Sequence, residues 1–286
     1  MILLRLLSYI PLPLLYLFSD GLYLLFGRLL GYRGKVISKN LQLAFPEKSE
    51  AERKILQKKF YRHLCDVIVE TLKTISIPRE ELHRRVQLDN PEEITQYFEQ
   101  GQSVVVVTSH QGNWEWLLTA CSDYLPFHVD AVYMQLNNPF FDELMKKIRS
   151  RFGAEMTEKK TAFRTIVQHR DKVTLTAMVA DQRNRNARQS VETSFFGQNT
   201  SFYLGPERIA RKLDLPMIFV DMRKVKRGHY QIGFKTVAAP PYSAEEGSMI
   251  RKYVSLMEES VRQQPEAYLW SHDRWKNKRQ MPETPA

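Results

Sequence analysis

The sequence predicts an α/β fold: a mixed, largely parallel β-sheet sandwiched by helices, preceded by an apolar N-terminal helix. Three observations predict it. Apolar runs of strand length alternate with segments of helical period through the middle of the chain. One run, Ser103-Val104-Val105-Val106-Val107-Thr108, is β-branched at its centre and bounded by Gly101 and polar residues, as a strand buried on both faces requires. Residues 2–30 are dominated by Leu, Ile, Phe and Tyr.

In chain order, the N-terminal segment carries no Ala-x-Ala cleavage site, which sets it apart from a secretory leader. Residues 11–30 are long enough to span a bilayer. Asp20 sits near their centre, however, where an acid costs roughly 2.5–3.5 kcal/mol on insertion scales. An in-plane helix in the headgroup layer avoids that cost and brings Arg5 and Arg28 to lipid phosphates. The residues leave three readings open: a spanning helix, an in-plane anchor and a buried core helix. Lys35 and Lys39 after the segment place the remainder on the cytoplasmic side by the positive-inside tendency.

Residues 48–76 read as a long amphipathic helix with Ile55, Phe60, Leu64, Val67, Ile68 and Leu72 at helical spacing. Ser49 and Glu52 form a capping-box start, and Pro78 stops the helix. A short helix or turn is expected over 80–88 and a helix over 91–100, the latter closed by Gly101. After the valine strand come helices over 114–125, 139–152, 162–169, 205–213 and 245–264. Strands are expected over 129–134, 173–179, 216–222 and 230–237. The expected organisation is an anchor over 1–32, one catalytic domain over 33–278 and a polar tail over 279–286.

Composition bounds the function. The chain has 286 residues, 43% of them apolar and 11% aromatic, which excludes disorder for its bulk. Cys65 and Cys121 form no CxxC pair, so a disulfide framework is excluded and a reducing compartment fits. Net charge is +10, and over 145–188 twelve Lys or Arg stand against four Asp or Glu. Such a surface suits nucleic acid, anionic lipid headgroups or an acidic carrier protein. The stretch carries no nucleic-acid motif and no stacking pattern of aromatics, so nucleic acid is set aside. A non-catalytic basic membrane-binding module remains the non-enzymatic reading.

The chemistry is concentrated in Ser109-His110-Gln111-Gly112-Asn113-Trp114-Glu115, immediately after the valine strand, where α/β sheets gather their sites. Gly112 permits a left-handed turn. Asn113 is a good N-cap, and Glu115 falls in the first turn of the next helix. Folded back, Glu115 would meet one nitrogen of His110 and leave the other to take a proton from a hydroxyl. The nucleophile would be the substrate's own alcohol, and the reaction a direct acyl transfer from a thioester. No metal or organic cofactor is indicated, because no second His or Cys stands at ligand spacing beside His110.

These residues resemble those of the bacterial lipid A late acyltransferases. The resemblance runs from Asn40-Leu41-x-x-Ala44-Phe45-Pro46 through His110-x4-Glu115, Tyr133, Asn138-Pro139, Arg149-x-Arg151, Asp181-Gln182 and Phe195-Phe196-Gly197. It ends at Pro265-Glu266-x-Tyr268-Leu269-Trp270-x-His272-x-Arg274-Trp275-Lys276. It implies a glycerol-phosphate-acyltransferase-like sandwich at the inner membrane, with acyl carrier protein as donor and a hydroxyl of an anionic glycolipid as acceptor. It also implies His110 as general base with Glu115 as its partner, and Asn113, Arg149, Arg151, Asp181, Gln182 and Gly197 on the substrate side. Two departures, Met134-Gln135 after Tyr133 and Asp273 after His272, fall on the acceptor side of that pattern rather than on the His-Glu motif. They leave open the same chemistry on another lipid acceptor.

Overall fold

The computed structural model describes residues 2–169, 171–184 and 186–276, so the expected polar tail 279–286 lies outside the described residues. The N-terminal apolar segment folds as α1 (Ile2–Ser8) and α2 (Leu12–Tyr23), broken at Pro11 and continued by a π-helical turn over Leu24–Leu29. Pro11 can start a helix but cannot sit inside one, which explains the break. Leu12–Leu29 is the one stretch among the described residues long and apolar enough to cross a membrane. Next comes α3 (Gly34–Ala44), absent from the sequence-based expectation. It is followed by α4 (Glu50–Lys73), whose Ser49/Glu52 capping box forms as the sequence predicts.

Strands and helices then alternate through the order α5 (Arg79–Arg85), β1 (Val86–Leu88), α6 (Glu92–Glu99), β2 (Val104–Thr108), α7 (Trp114–Tyr124), β3 (His128–Tyr133) and α8 (Pro139–Arg149). They continue with β4 (Glu155–Glu158), α9 (Ala162–Gln168), β5 (Thr174–Val179), β6 (Ser190–Phe195), β7 (Gln198–Tyr203), α10 (Gly205–Leu213), β8 (Met217–Lys226), β9 (His229–Ala238) and α11 (Ser248–Gln263). Seven strands make one sheet in the order β1-β9-β8-β2-β5-β3-β4. Every pairing is parallel except β8–β9. The fold is therefore α/β with a mostly parallel sheet, as the alternation predicts.

The valine strand lies at the centre of that sheet, and its period of two divides the core. Val105 and Val107 point to one face, which α3, α4 and α11 cover through Leu41, Phe60, Tyr253 and Met257. Val104 and Val106 point to the other, against Trp116, Leu117 and Ala120 of α7. Four strands escape the sequence reading. Val86–Leu88, expected as the end of a short helix or turn, is drawn into the sheet by β9. Glu155–Glu158 is an edge strand with little apolar content to mark it. The β6–β7 hairpin forms a separate two-stranded sheet around the Phe196-Gly197 turn, where only the turn was legible.

The N-terminal helices are fastened along α4 by polar groups. Tyr16 donates to Glu70, Ser19 donates to Asp66, and Lys73 donates to the carbonyls of Ser8 and Ile10. Arg227 bridges Asp20 (2.8 Å) and Asp66 (2.7 Å), and its guanidinium lies 4.4 Å from the centre of the Tyr16 ring. Asp66 is buried, so removing this cation leaves a desolvated carboxylate short of a partner. Arg227→Ala should therefore cost about 2 kcal/mol and loosen α1–α2. Thermal denaturation together with limited proteolysis tests this, with new cleavage expected within the first 30 residues.

Candidate active site

Two parallel neighbours end level: Thr108 of β2 pairs in register with Val179 of β5. His110 and Asp181 each stand two residues beyond that pair, and they meet. His110 Nδ1 donates to Asp181 Oδ1 at 2.7 Å. The contact lies at the carboxyl ends of the strands, where open α/β sheets hold their ligands. Donation through Nδ1 leaves Nε2 as the lone-pair nitrogen, with the Gln182 amide 3.4 Å away.

The loop that carries His110 is held from several sides. Leu269 N–H donates to the His110 carbonyl, and Gly112 N–H donates to that of Ala267. Gly112 has φ +61°, and a Cβ there would lie 2.7 Å from the Met222 carbonyl, so only glycine fits. Asn113 is fully buried; its Oδ1 caps α7 at Trp116 N–H and its Nδ2 donates to Glu70. This side chain faces the core.

Asp181 is buried. Burial pushes its carboxyl up, but His110 and the Arg274 guanidinium outweigh that and hold it below its ordinary value. Arg274 is itself buried, lies 4.0 Å from the centre of the Phe202 ring and donates to the Ser201 carbonyl. His272, pushed down chiefly by burial, accepts from the Arg183 N–H beside this pair. Neither His272 nor Arg274 stood among the expected site residues. Their place in the closing motif was the only signal.

Glu115 does not meet His110. It accepts both nitrogens of the Arg149 fork, at 2.8 and 2.6 Å, and the Trp114 indole N–H at 3.1 Å. The Trp114 ring stands edge-on to the His110 ring at 5.2 Å, so Glu115 is one aromatic ring removed from the imidazole. Asp181 takes the position that the sequence suggested for Glu115. The first turn of α7 carries the Glu115 carboxylate to α8, where a guanidinium offers a bidentate partner that a neutral imidazole cannot match.

Of the other expected residues, Arg149 is engaged by Glu115. Arg151 donates to the Thr74 carbonyl and covers the Phe152 ring. Gly197 lies in the β6–β7 turn, where its φ of +69° suits glycine. Of the expected substrate-side residues, Asp181 and Gln182 come together at His110.

Near the same ends of β3 and β5 lies a cavity of about 240 Å³. Val132, Met178, Phe163 and Ile209 give it an apolar lining, and Lys159, Lys160 and Lys212 bring positive charge.

His63, on α4, backs the loop. Its Nε2 donates to the Gly112 carbonyl at 3.0 Å, and its Nδ1 faces the Lys224 ammonium at 3.4 Å. Burial first, and then Lys224, push its pKa down to about 4.

Compared with known proteins, the chain is an acyltransferase by kinship. The family model "Bacterial lipid A biosynthesis acyltransferase" matches residues 1–277, and the chain belongs to that family. A lipid A biosynthesis lauroyltransferase of Escherichia coli (strain K12) is 26% identical over 274 residues, covering 94% of this chain and 87% of the relative. The lipid A biosynthesis palmitoleoyltransferase of the same organism is 24% identical over 250 residues, 86% of this chain and 79% of its own. A lipid A biosynthesis acyltransferase of Haemophilus influenzae is 23% identical over 235 residues, 81% and 72% of the two chains.

Two stability predictions follow from this geometry. Glu115→Gln leaves the Arg149 guanidinium without its carboxylate and should cost about 3 kcal/mol, read by thermal denaturation. For His63, the unfolded chain binds a proton below its ordinary value of about 6.5 while the fold refuses it until about 4. Stability present above pH 6.5 is thus lost as pH falls towards 4, on the order of 3 kcal/mol in total. Urea denaturation at pH 7.5 and pH 5 should show the loss, and His63→Gln should flatten the difference.

Proposed function

We propose that this protein moves a fatty acyl chain from the thioester of acyl carrier protein to a hydroxyl of a lipid A precursor, at the cytoplasmic face of the inner membrane. The observation that carries the chemistry is the His110–Asp181 pair at the strand ends. Asp181 fixes the imidazole tautomer, and Nε2 takes the proton of the acceptor hydroxyl as its oxygen attacks the thioester carbonyl. The positive imidazolium that results is stabilised by the buried carboxylate, and it returns the proton to the carrier's thiolate as the C–S bond breaks and the ester forms. No covalent acyl-enzyme is needed. Glu115 with Arg149 and Trp114 forms a wall beside the imidazole.

The acceptor assignment rests on the family and on the names of the relatives. The lysines at the cavity, beside an apolar lining, suit an amphiphile with a phosphate headgroup, and an acidic carrier suits the same charge. The residues over 1–32 act as the anchor. Their polar side chains bind α4, while Leu3, Leu6, Leu14, Leu17, Phe18 and Leu29 are exposed, so an in-plane helix fits better than a lone span.

Acyl transfer from a panel of acyl carrier proteins to a tetra-acylated lipid A precursor tests the reading. His110→Ala should slow it by about 10²–10⁴-fold. Asp181→Asn should lower kcat and alter its pH profile. If Glu115→Gln abolishes transfer in folded protein while Asp181→Asn spares it, then Glu115 is the partner of His110 in the substrate complex. If wild type transfers to other lipids but not to the precursor, the chemistry stands and the acceptor changes.

A further inference from the structure

A second group of chemistry-bearing side chains lies at the opposite end of the sheet from His110. His128 and Asp130 are two residues apart on β3 and so point to the same face. Glu155, the first residue of β4, pairs in register with Asp130. His169 follows α9 and turns back over them. One donor atom from each of the four lies within 4.8 Å of all the others.

His169 Nδ1 is 2.8 Å from Asp130 Oδ2, and His128 Nε2 is 3.6 Å from Asp130 Oδ1 and 3.5 Å from Glu155 Oε1. His169 Nε2 is 3.9 Å from the other Glu155 oxygen. Donors around a tetrahedral zinc at its usual N and O bond lengths stand about 3.3–3.6 Å apart. With one donor atom from each residue, the four-atom set spans at most 4.8 Å, so side-chain rotation must draw the donors together around an ion.

Asp130 is wholly buried, yet its Oδ1 has no hydrogen-bond partner among the described residues, and neither does His128 Nε2. The two unpartnered atoms face each other across a gap too long for a hydrogen bond. A buried carboxylate oxygen and an imidazole nitrogen left in this way call for a further partner, and a cation between them answers both the geometry and the charge. Among the described residues the Lys172 ammonium stands 4.0 Å from Glu155, at the exposed side of the cluster.

We propose that His128, Asp130, Glu155 and His169 form a structural site for a divalent transition metal of the zinc type. Two imidazoles and two carboxylates suit such an ion, and two carboxylates balance its charge. Four protein ligands close the coordination, so the ion ties elements together and leaves no position for substrate. It joins β3 to the edge strand β4 and to the end of α9, and the start of α9 lines the lysine-bearing cavity through Ala162 and Phe163. The spacing in sequence conceals the set, since the ligands come from three elements.

The test uses the full chain, purified in detergent without a histidine tag and stripped with EDTA. Zinc is titrated against a chromophoric chelator. One ion per chain is expected, with a rise of a few degrees in the thermal midpoint. Affinity should fall at least tenfold in His128→Gln and in Glu155→Gln. Glu155 is half exposed at the sheet edge, so its variant keeps the core intact if the partly buried His128 position proves intolerant. Absence of stoichiometric zinc overturns the proposal, since the four residues are then an ion-pair cluster. Zinc bound with unchanged affinity by folded Glu155→Gln overturns it equally.

Discussion

The buried carboxylate of Glu70 is the constraint from which the rest of the structure hangs. It lies near the end of α4, wholly out of solvent, and accepts from three donors that come from three parts of the chain. Tyr16 reaches it from the N-terminal helix, Tyr230 from β9 and Asn113 from the loop after the valine strand. The Glu70 carbonyl also accepts the indole N–H of Trp116, at the base of α7. Burial pushes the carboxyl up, and the two tyrosine hydroxyls hold back part of that rise. A carboxylate placed so deep is tolerable only when its lone pairs are filled, so its donors cannot move independently.

That dependence links the N-terminal apolar helix to the loop that carries His110 through one side chain. Tyr16 and Asn113 bind opposite oxygens of Glu70, and Asn113 fixes the start of α7 two residues before Glu115. Two turns before Glu70 on α4, His63 holds the Gly112 carbonyl. Thus α4 holds the Gly112-Asn113 side of the turn that carries His110. His110 sits on a loop whose backbone is bonded to α4 and to the closing segment around Ala267–Leu269. The two fastenings explain how a loop residue acquires the fixed orientation that general-base chemistry demands.

The fold was largely legible because its central strands are buried on both faces and therefore read as unbroken apolar runs. The missed strands are those for which burial does not dictate composition. Glu155–Glu158 is at an edge, and Ser190–Phe195 alternates polar and apolar residues in a hairpin outside the main sheet. The site was half legible. His110, its strand and its cap could be read locally, whereas its carboxylate partner lies 71 residues on. A local reading favours Glu115, five residues away, over Asp181, which only the parallel register of β2 and β5 brings near. The register itself follows from pairing a strand ending at Thr108 with one ending at Val179. The legible signal was two polar residues, each two places beyond an apolar strand.

Charge is sorted by the same geometry. The basic stretch over 145–188 looks in sequence like one patch, but several of its cations are spent internally. Lys146 pairs with Asp142, Arg149 with Glu115, and Arg151 with the Thr74 carbonyl. Lys159 and Lys160 stand instead at the cavity, beside Lys212 from α10. Lys159 lies 3.7 Å from the centre of the Tyr203 ring, and burial pushes its pKa down. A cation so desolvated gains more from an arriving anion than a fully hydrated surface lysine does. The +10 of the composition is thus a poor measure of anion affinity. Lys146, Arg149 and Arg151 are already engaged within the fold, whereas Lys159, Lys160 and Lys212 stand at an apolar-lined cavity near the carboxyl ends of β3 and β5.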